Sequence, residues 1–174
     1  MEEMRNNAHL FLLILQIKIG WNQMIKQKLQ SAFLILKSKL FGGMSIFSKI
    51  ISGEISSYKI AENERFFAFL DIFPLTEGHT LIVPKMEVDK IFDLQDEVLA
   101  EMLVFAKPIA KAIEHSFNCK RVGIAAIGLE VPHAHLHLVP INNADDLNFT
   151  RPKLKLTEAQ LKTAQQKIIN NLNK

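Results

Sequence analysis

The pattern of apolar and polar positions changes period several times along this chain. Residues 10–19, LFLLILQIKI, are almost continuously apolar but carry Gln16 and Lys18. They are too short and too polar for a membrane span of about 20 residues. Glu2 and Glu3, and the lack of a small-x-small cleavage site, argue against a signal peptide. A helix lying on a membrane surface and a helix packed on the core both stay open for this segment. From Met44 the pattern is that of an α+β domain. Ser45 can cap a short helix through Ile51 that ends at Gly53. Residues 57–60 and 65–70 read as a strand pair across AENE, and 80–83 as a third strand closed by Pro84. Over residues 94–117, Val98, Met102, Phe105, Ile109, Ile113 and Phe117 recur at helical spacing. Pro108 is expected to kink that helix. A fourth strand follows at 122–127. A last helix over 157–172 starts on a Thr157–Gln160 capping box and buries Leu161, Ala164, Ile168 and Leu172.

The tightest pattern is VPHAHLHLVP at residues 131–140. His alternates with Ala and Leu at period two, which predicts a strand over roughly 133–139. Pro132 and Pro140 bracket it, as proline sits badly inside a ladder but well at its ends. Ala134, Leu136 and Leu138 then face the core, and His133, His135 and His137 share the other face. The expected fold is a five-stranded, mainly antiparallel sheet with one long helix on its covered face and short N- and C-terminal helices.

Three explanations compete for the three imidazoles. A solvated polar strand face suits one histidine better than three in strict alternation. A metal site is awkward, because His133 and His137 are rooted about 13 Å apart at ~3.3 Å per residue, too far to share one ion easily. Catalysis by a histidine nucleophile with histidine helpers fits best. Imidazole is substantially neutral near pH 7 and attacks phosphorus without a strong base. Clustered rings also discourage one another from protonating.

Composition narrows the setting. At 174 residues with 48% hydrophobic content, one domain able to bury a core is the default. The single cysteine, Cys119, excludes an intramolecular disulfide and suits a reducing cytoplasm. Six of the 21 basic and two of the 18 acidic residues lie in residues 1–43, leaving 15 and 16 beyond. The +3 net charge therefore belongs to the first segment, and the remainder has no basic footprint for a nucleic acid. The chain divides at GlyGly42–43 into an N-terminal extension, residues 1–43, and a catalytic domain, residues 44–174. The extension is expected to lie outside that domain, and even outside the natural product. Any membrane contact is expected only through it. Trp21 lies within it and is not expected to be catalytic; His9 and His115 are expected at the surface.

The pattern His-x-His-x-His-x-x resembles the signature of the histidine triad (HIT) family of nucleotide hydrolases and transferases. SIFSKIISGEI at 45–55 and FFAFLDIFPLTEGHTLIVPK at 66–85 extend the likeness upstream, so that it covers about residues 44–148. The resemblance implies roles. His135 is the nucleophile and carries a transient nucleotidyl group. His137 hydrogen-bonds the phosphate. The backbone carbonyl of His133 holds the nucleophile's other ring nitrogen, and His79 supports the triad from a neighbouring strand. Asp71 binds the ribose, for which a carboxylate is suited because it accepts from both hydroxyls of a diol. Ile46, Phe47, Ile50, Phe69, Leu70 and Ile72 are candidates for the apolar slot of a base.

The chain departs from the family just before the triad, in IGLEVPH at 127–133. Gly128 is kept, Leu129 stands where Gln is usual, and Glu130 where Ser or Thr is usual. The expected activity is hydrolysis of a purine nucleoside 5′-monophosphoramidate through a covalent histidine adduct. A dinucleoside polyphosphate hydrolase and a nucleotide-binding protein with little turnover are the alternatives. No cofactor or metal is expected, and the partner is a second copy in a two-fold dimer.

Overall fold

The computed structural model describes residues 44–173. Residues 44–174 form one compact unit. The expectations for residues 1–43, including the apolar run at 10–19, His9 and Trp21, lie outside the described residues.

Helix α1 (Ile46–Ile51) is capped by Ser45, whose hydroxyl accepts the Ser48 N–H at 3.0 Å. Strands β1 (Lys59–Glu62) and β2 (Phe66–Leu70) form a hairpin. It turns at residues 63–65 rather than across AENE. The Asn63 side chain accepts both the Arg65 and Phe66 N–H groups, so the turn is built from one asparagine and the strand keeps Ala61 and Glu62. Strand β3 (Thr80–Pro84) leads through a short 3₁₀ turn (Ile91–Asp93) to helix α2 (Asp96–Ser116), which runs without interruption through Pro108. Strands β4 (Arg121–Ala125) and β5 (Leu136–Ile141) precede a 3₁₀ turn at Ala144–Leu147 and helix α3 (Glu158–Leu172). The Thr157–Gln160 capping box forms as the spacing requires.

All four strand pairings are antiparallel, in the order β1-β2-β3-β5-β4. The expectation of one covered face is corrected. Leu70, Ile82, Leu136 and Leu138 pack under α2 and α3, against Met102, Ile109, Ile113 and Ile168. Phe67, Phe69, Leu81 and Val83 point the other way and are covered by Phe47 of α1 with Ile46, Ile50 and Val131. Period-two alternation makes both faces of β2 and β3 apolar, so each demands a cover. Each fully buried Leu, Ile or Phe here is worth about 1.5–3 kcal/mol.

The histidine strand also differs from expectation. Pairing with β3 begins at Leu136. Residues 133–135 lie outside the ladder: Ala134 N–H donates to the Val88 carbonyl, and His133 N–H to that of Val131. The strand then continues past Pro140 to Ile141. Pro140 is tolerated because β3 has already ended beside it. Its carbonyl accepts the Thr76 hydroxyl at 2.9 Å, on the side where its missing N–H would have pointed.

Candidate active site

His137 is paired in register with Leu81 of β3, so its ring lies on the α1 side of the sheet. His133 and His135 stand at the mouth of β5, with the Phe47 ring edge-on to both at 5.8 and 5.2 Å. All three rings are buried, and so is His79 at the entrance to β3. Gly78 makes that entrance possible. Its φ is +89°, and a Cβ there would stand 2.3 Å from the Phe117 ring. Only glycine lets the chain turn past α2's C-terminal aromatic and deliver His79 to the site.

The hydrogen bonds fix which nitrogen of each ring carries its proton. Leu75 N–H donates to His79 Nδ1 at 3.2 Å, so that nitrogen holds a lone pair. The His79 proton is then on Nε2, which donates to His137 Nδ1 at 2.9 Å. His137 must therefore carry its own proton on Nε2. His135 is the reverse: its Nδ1–H donates to the His133 carbonyl at 2.6 Å, which leaves a lone pair on Nε2. The His135 and His137 rings are 4.8 Å apart, at an interplanar angle of 69°. The site thus sets a lone-pair nitrogen of His135 beside an N–H donor of His137.

Burial favours neutral rings throughout. It pushes His79 and His137 down to about 3, helped by neighbouring imidazoles and by the Lys153 ammonium. His133 and His135 are lowered by burial too, against the pull of the carbonyl each donates to. Burial raises the Asp71 carboxyl above its ordinary range, while the Phe73 N–H at 2.8 Å opposes it. That bond makes one Asp71 oxygen the acceptor of a local turn. The other lies 3.6 Å from His79 Nδ1, beyond hydrogen-bond reach, as two acceptors should be. Asp71, His79 and His137 bring one donor atom each within 4.8 Å of one another, the spacing of a metal cluster. Their two imidazoles are joined directly to each other instead.

The other candidates separate. Phe47 and Phe69 line the α1 side with Ile46 and Ile50, on the same face as the triad. Leu70 is a correction: it follows Phe69 by one residue, so it points to the opposite face and is buried under α2 and α3. Ile72 is half-exposed beside Asp71. Gly128, with φ of +70°, lines a cleft of about 240 Å³ beside His135, together with Asp89, Lys90, Ile91, Phe92 and Ile127. Glu130 is exposed, and its charge acts on His135. His115 is exposed, as expected.

Sequence reasoning missed Phe149 and Lys153. The Phe149 ring lies 4.7 Å from that of His137, and Lys153 Nζ lies 4.9 Å from the centre of Phe149. Neither belongs to a motif. They reach the site because Leu154 N–H is tied to the Pro74 carbonyl at 2.8 Å, a contact with no local signature.

An antiparallel sheet carries a buried histidine row at the mouth of a central strand. Residues 52–144 match the HIT domain, and the chain belongs to that family. It is 43% identical over 96 residues to adenosine 5′-monophosphoramidase HNT1 of Saccharomyces cerevisiae, covering 55% of this chain and 61% of the yeast protein. An uncharacterized HIT-like protein of Borreliella burgdorferi is 36% identical over 135 residues, covering 73% and 97%. Among solved structures, a Zn-bound histidine triad family protein of Mycobacterium smegmatis superposes with a TM-score of 0.62 at 31% identity, over 74% of this chain and 92% of that one.

Proposed function

We propose that this HIT-family hydrolase cleaves the phosphorus–nitrogen bond of a purine nucleoside 5′-monophosphoramidate through an adduct on His135. One observation carries the reading: His135 and His137, two residues apart, have opposite tautomers. His135 Nε2 bonds to phosphorus as the P–N bond to the amine breaks, and the amine departs with a proton taken from solvent, which the later hydrolysis by water returns. Water then cleaves the His135–phosphorus bond, releasing the nucleoside monophosphate and restoring the neutral ring. The His137 Nε2–H donates to a phosphate oxygen as charge builds on it. His133 and His79 hold these two tautomers. Asp71 takes the ribose diol, and Phe47, Phe69, Ile46 and Ile50 form the slot for the base, with Ile72 at its rim and Gly128 beside the phosphate.

The relatives named adenosine 5′-monophosphoramidase, in Saccharomyces cerevisiae and Schizosaccharomyces pombe, support this substrate class. Glu130 supports a leaving amine over a leaving nucleotide, because an ionised carboxylate repels an anion. Glu130 is exposed, so at ~4 Å in water that repulsion is about 1 kcal/mol. The same reading includes a two-fold homodimer built on the β4 edge and the exposed Leu103 and Val104 of α2. It also includes a reducing, cytoplasmic setting, and a catalytic domain of residues 44–174 that works without residues 1–43. No helix among the described residues is long and apolar enough to cross a membrane.

The test is mass spectrometry of enzyme quenched during turnover of an adenosine phosphoramidate. A nucleotidyl mass on the peptide holding His135 is expected, and His135→Ala should lose it while binding AMP within roughly tenfold of wild type. An adduct on another residue, or near-normal turnover by His135→Ala, overturns the reading.

A further inference from the structure

Ser45 does more than cap α1. Its side chain is buried, and its Oγ lies 2.7 Å from His133 Nδ1. The other nitrogen of that ring, Nε2, donates to the Pro84 carbonyl at 2.8 Å. His133 therefore holds a lone pair on Nδ1, and the Ser45 hydroxyl donates to it. Ser45 Oγ in turn accepts the Ser48 N–H at 3.0 Å and lies 3.1 Å from Ser48 Oγ. The Ser48 hydroxyl donates to the Glu87 carboxylate, and the Ser45 backbone N–H donates to both Glu87 oxygens, at 3.1 and 3.2 Å. Glu87 is itself exposed, in the loop after β3.

These contacts make one connected chain from a surface carboxylate to the buried nucleophile. Glu87 fixes the start of α1 and orients Ser48. Ser48 leaves the Ser45 proton a single good acceptor, His133 Nδ1. His133 is then held at both ring nitrogens in one neutral tautomer. Its carbonyl accepts from His135 Nδ1, so the position of the His133 backbone sets the aim of His135 Nε2. We propose that Ser45 and Glu87 form a latch that positions the nucleophile through His133, although neither touches the reacting atoms.

This inference rests on His135 being the nucleophile, and its test separates the two claims. Ser45→Gly removes the hydroxyl while largely keeping the helix cap, because glycine is itself a fair N-cap. Glu87→Ala changes an exposed residue that need not impair folding. Each variant is compared with wild type for kcat, for KM, and for the ¹⁵N signals of the ring nitrogens of His133 and His135. Wild type should show His133 protonated on Nε2 and His135 on Nδ1. Both variants should lose roughly ten- to a hundredfold in kcat, the scale of a small misplacement of a reacting group, with KM within about threefold. The His133 and His135 signals should become mixtures of tautomers, and Ser45→Thr should restore both readouts in part. Unchanged ring signals overturn the latch even if kcat falls, and so does a change confined to KM. If both variants behave as wild type while His135→Ala is inactive, the latch fails and the proposed nucleophile stands.

Discussion

The face of the sheet under α2 and α3 and the face under α1 are held together by different means. Under the long helices, Ile82, Leu138, Met102, Ile109 and Ile168 are sealed from water with almost no polar atom among them. Contacts there are many and individually weak, and a residue of similar volume can replace another at modest cost. Under α1, a smaller apolar group surrounds four buried imidazoles: both ring nitrogens of His79 and His133, and Nδ1 of His135 and His137, are each committed to one partner. There the partners are few and directional, and no substitute of similar size preserves them. One face stores stability and the other stores geometry.

That contrast can be attacked from both sides. The largest effect is expected on the polar face. On the proposed mechanism, His137→Ala should cut kcat by on the order of a hundredfold or more, the cost of removing a donor aimed at developing charge, with a loss of stability smaller than that of Leu138→Ala. Steady-state kinetics beside thermal melting checks it, and comparable losses in both would erase the distinction between the faces. Next comes the apolar face. Leu138→Ala leaves a void and should cost about 2–5 kcal/mol of stability. The folded fraction should retain wild-type kcat, measured after correcting for folded protein by denaturant titration.

A titration sharpens the comparison without mutation. His79 and His137 sit near 3 when folded, against an ordinary value of 6.5. Their neutral burial is fully accommodated above pH 6.5. As pH falls from there toward 3, the unfolded chain binds protons that the folded chain refuses, and stability drains away. His133 and His135, also lowered, act in the same direction, while Asp71, raised by burial, acts against them. Tm should therefore fall steadily between pH 6.5 and 4. The rate should stay flat above pH 6.5, since His135 is already neutral there. An acid limb of kcat/KM centred above 6.5 would contradict the lowered value for that ring. The smallest effect is expected at α3. Thr157→Ala should cost about 1 kcal/mol by removing a helix cap, with no change in rate.

The sequence made the apolar face the more legible of the two. Val98, Met102, Ile109 and Ile113 repeat at helical spacing, and the Thr157–Gln160 box marks a helix start, because both signals are local. The polar face was legible only where a motif names it. The triad, His79 and Asp71 are found by pattern, and the structure gathers them. The contacts that orient them span 88 residues from Ser45 to His133, 58 from His79 to His137 and 42 from Ser45 to Glu87. No periodicity reports on such pairs. The misplacement of Leu70 and the late start of β5 have related causes. Alternation says which residues share a face, but not which face holds the site. Nor does it say that a histidine will trade its ladder bonds for ring contacts. Gly78 was unremarked because the aromatic it accommodates, Phe117, comes from the far end of α2.

Helix α1 is only six residues long. An isolated helix in water is marginal even at twice that length, so this one exists only while docked. It can therefore come undone on its own, leaving the large core beneath α2 and α3 intact. Amide hydrogens of residues 48–52 should exchange with solvent through such partial openings, at free energies below those of β2 and β3. Each opening exposes Phe47 and strips the cover from His133 and His135. A nucleotide bound in the slot would close this route, so ligand binding should slow exchange in α1 far more than in α2.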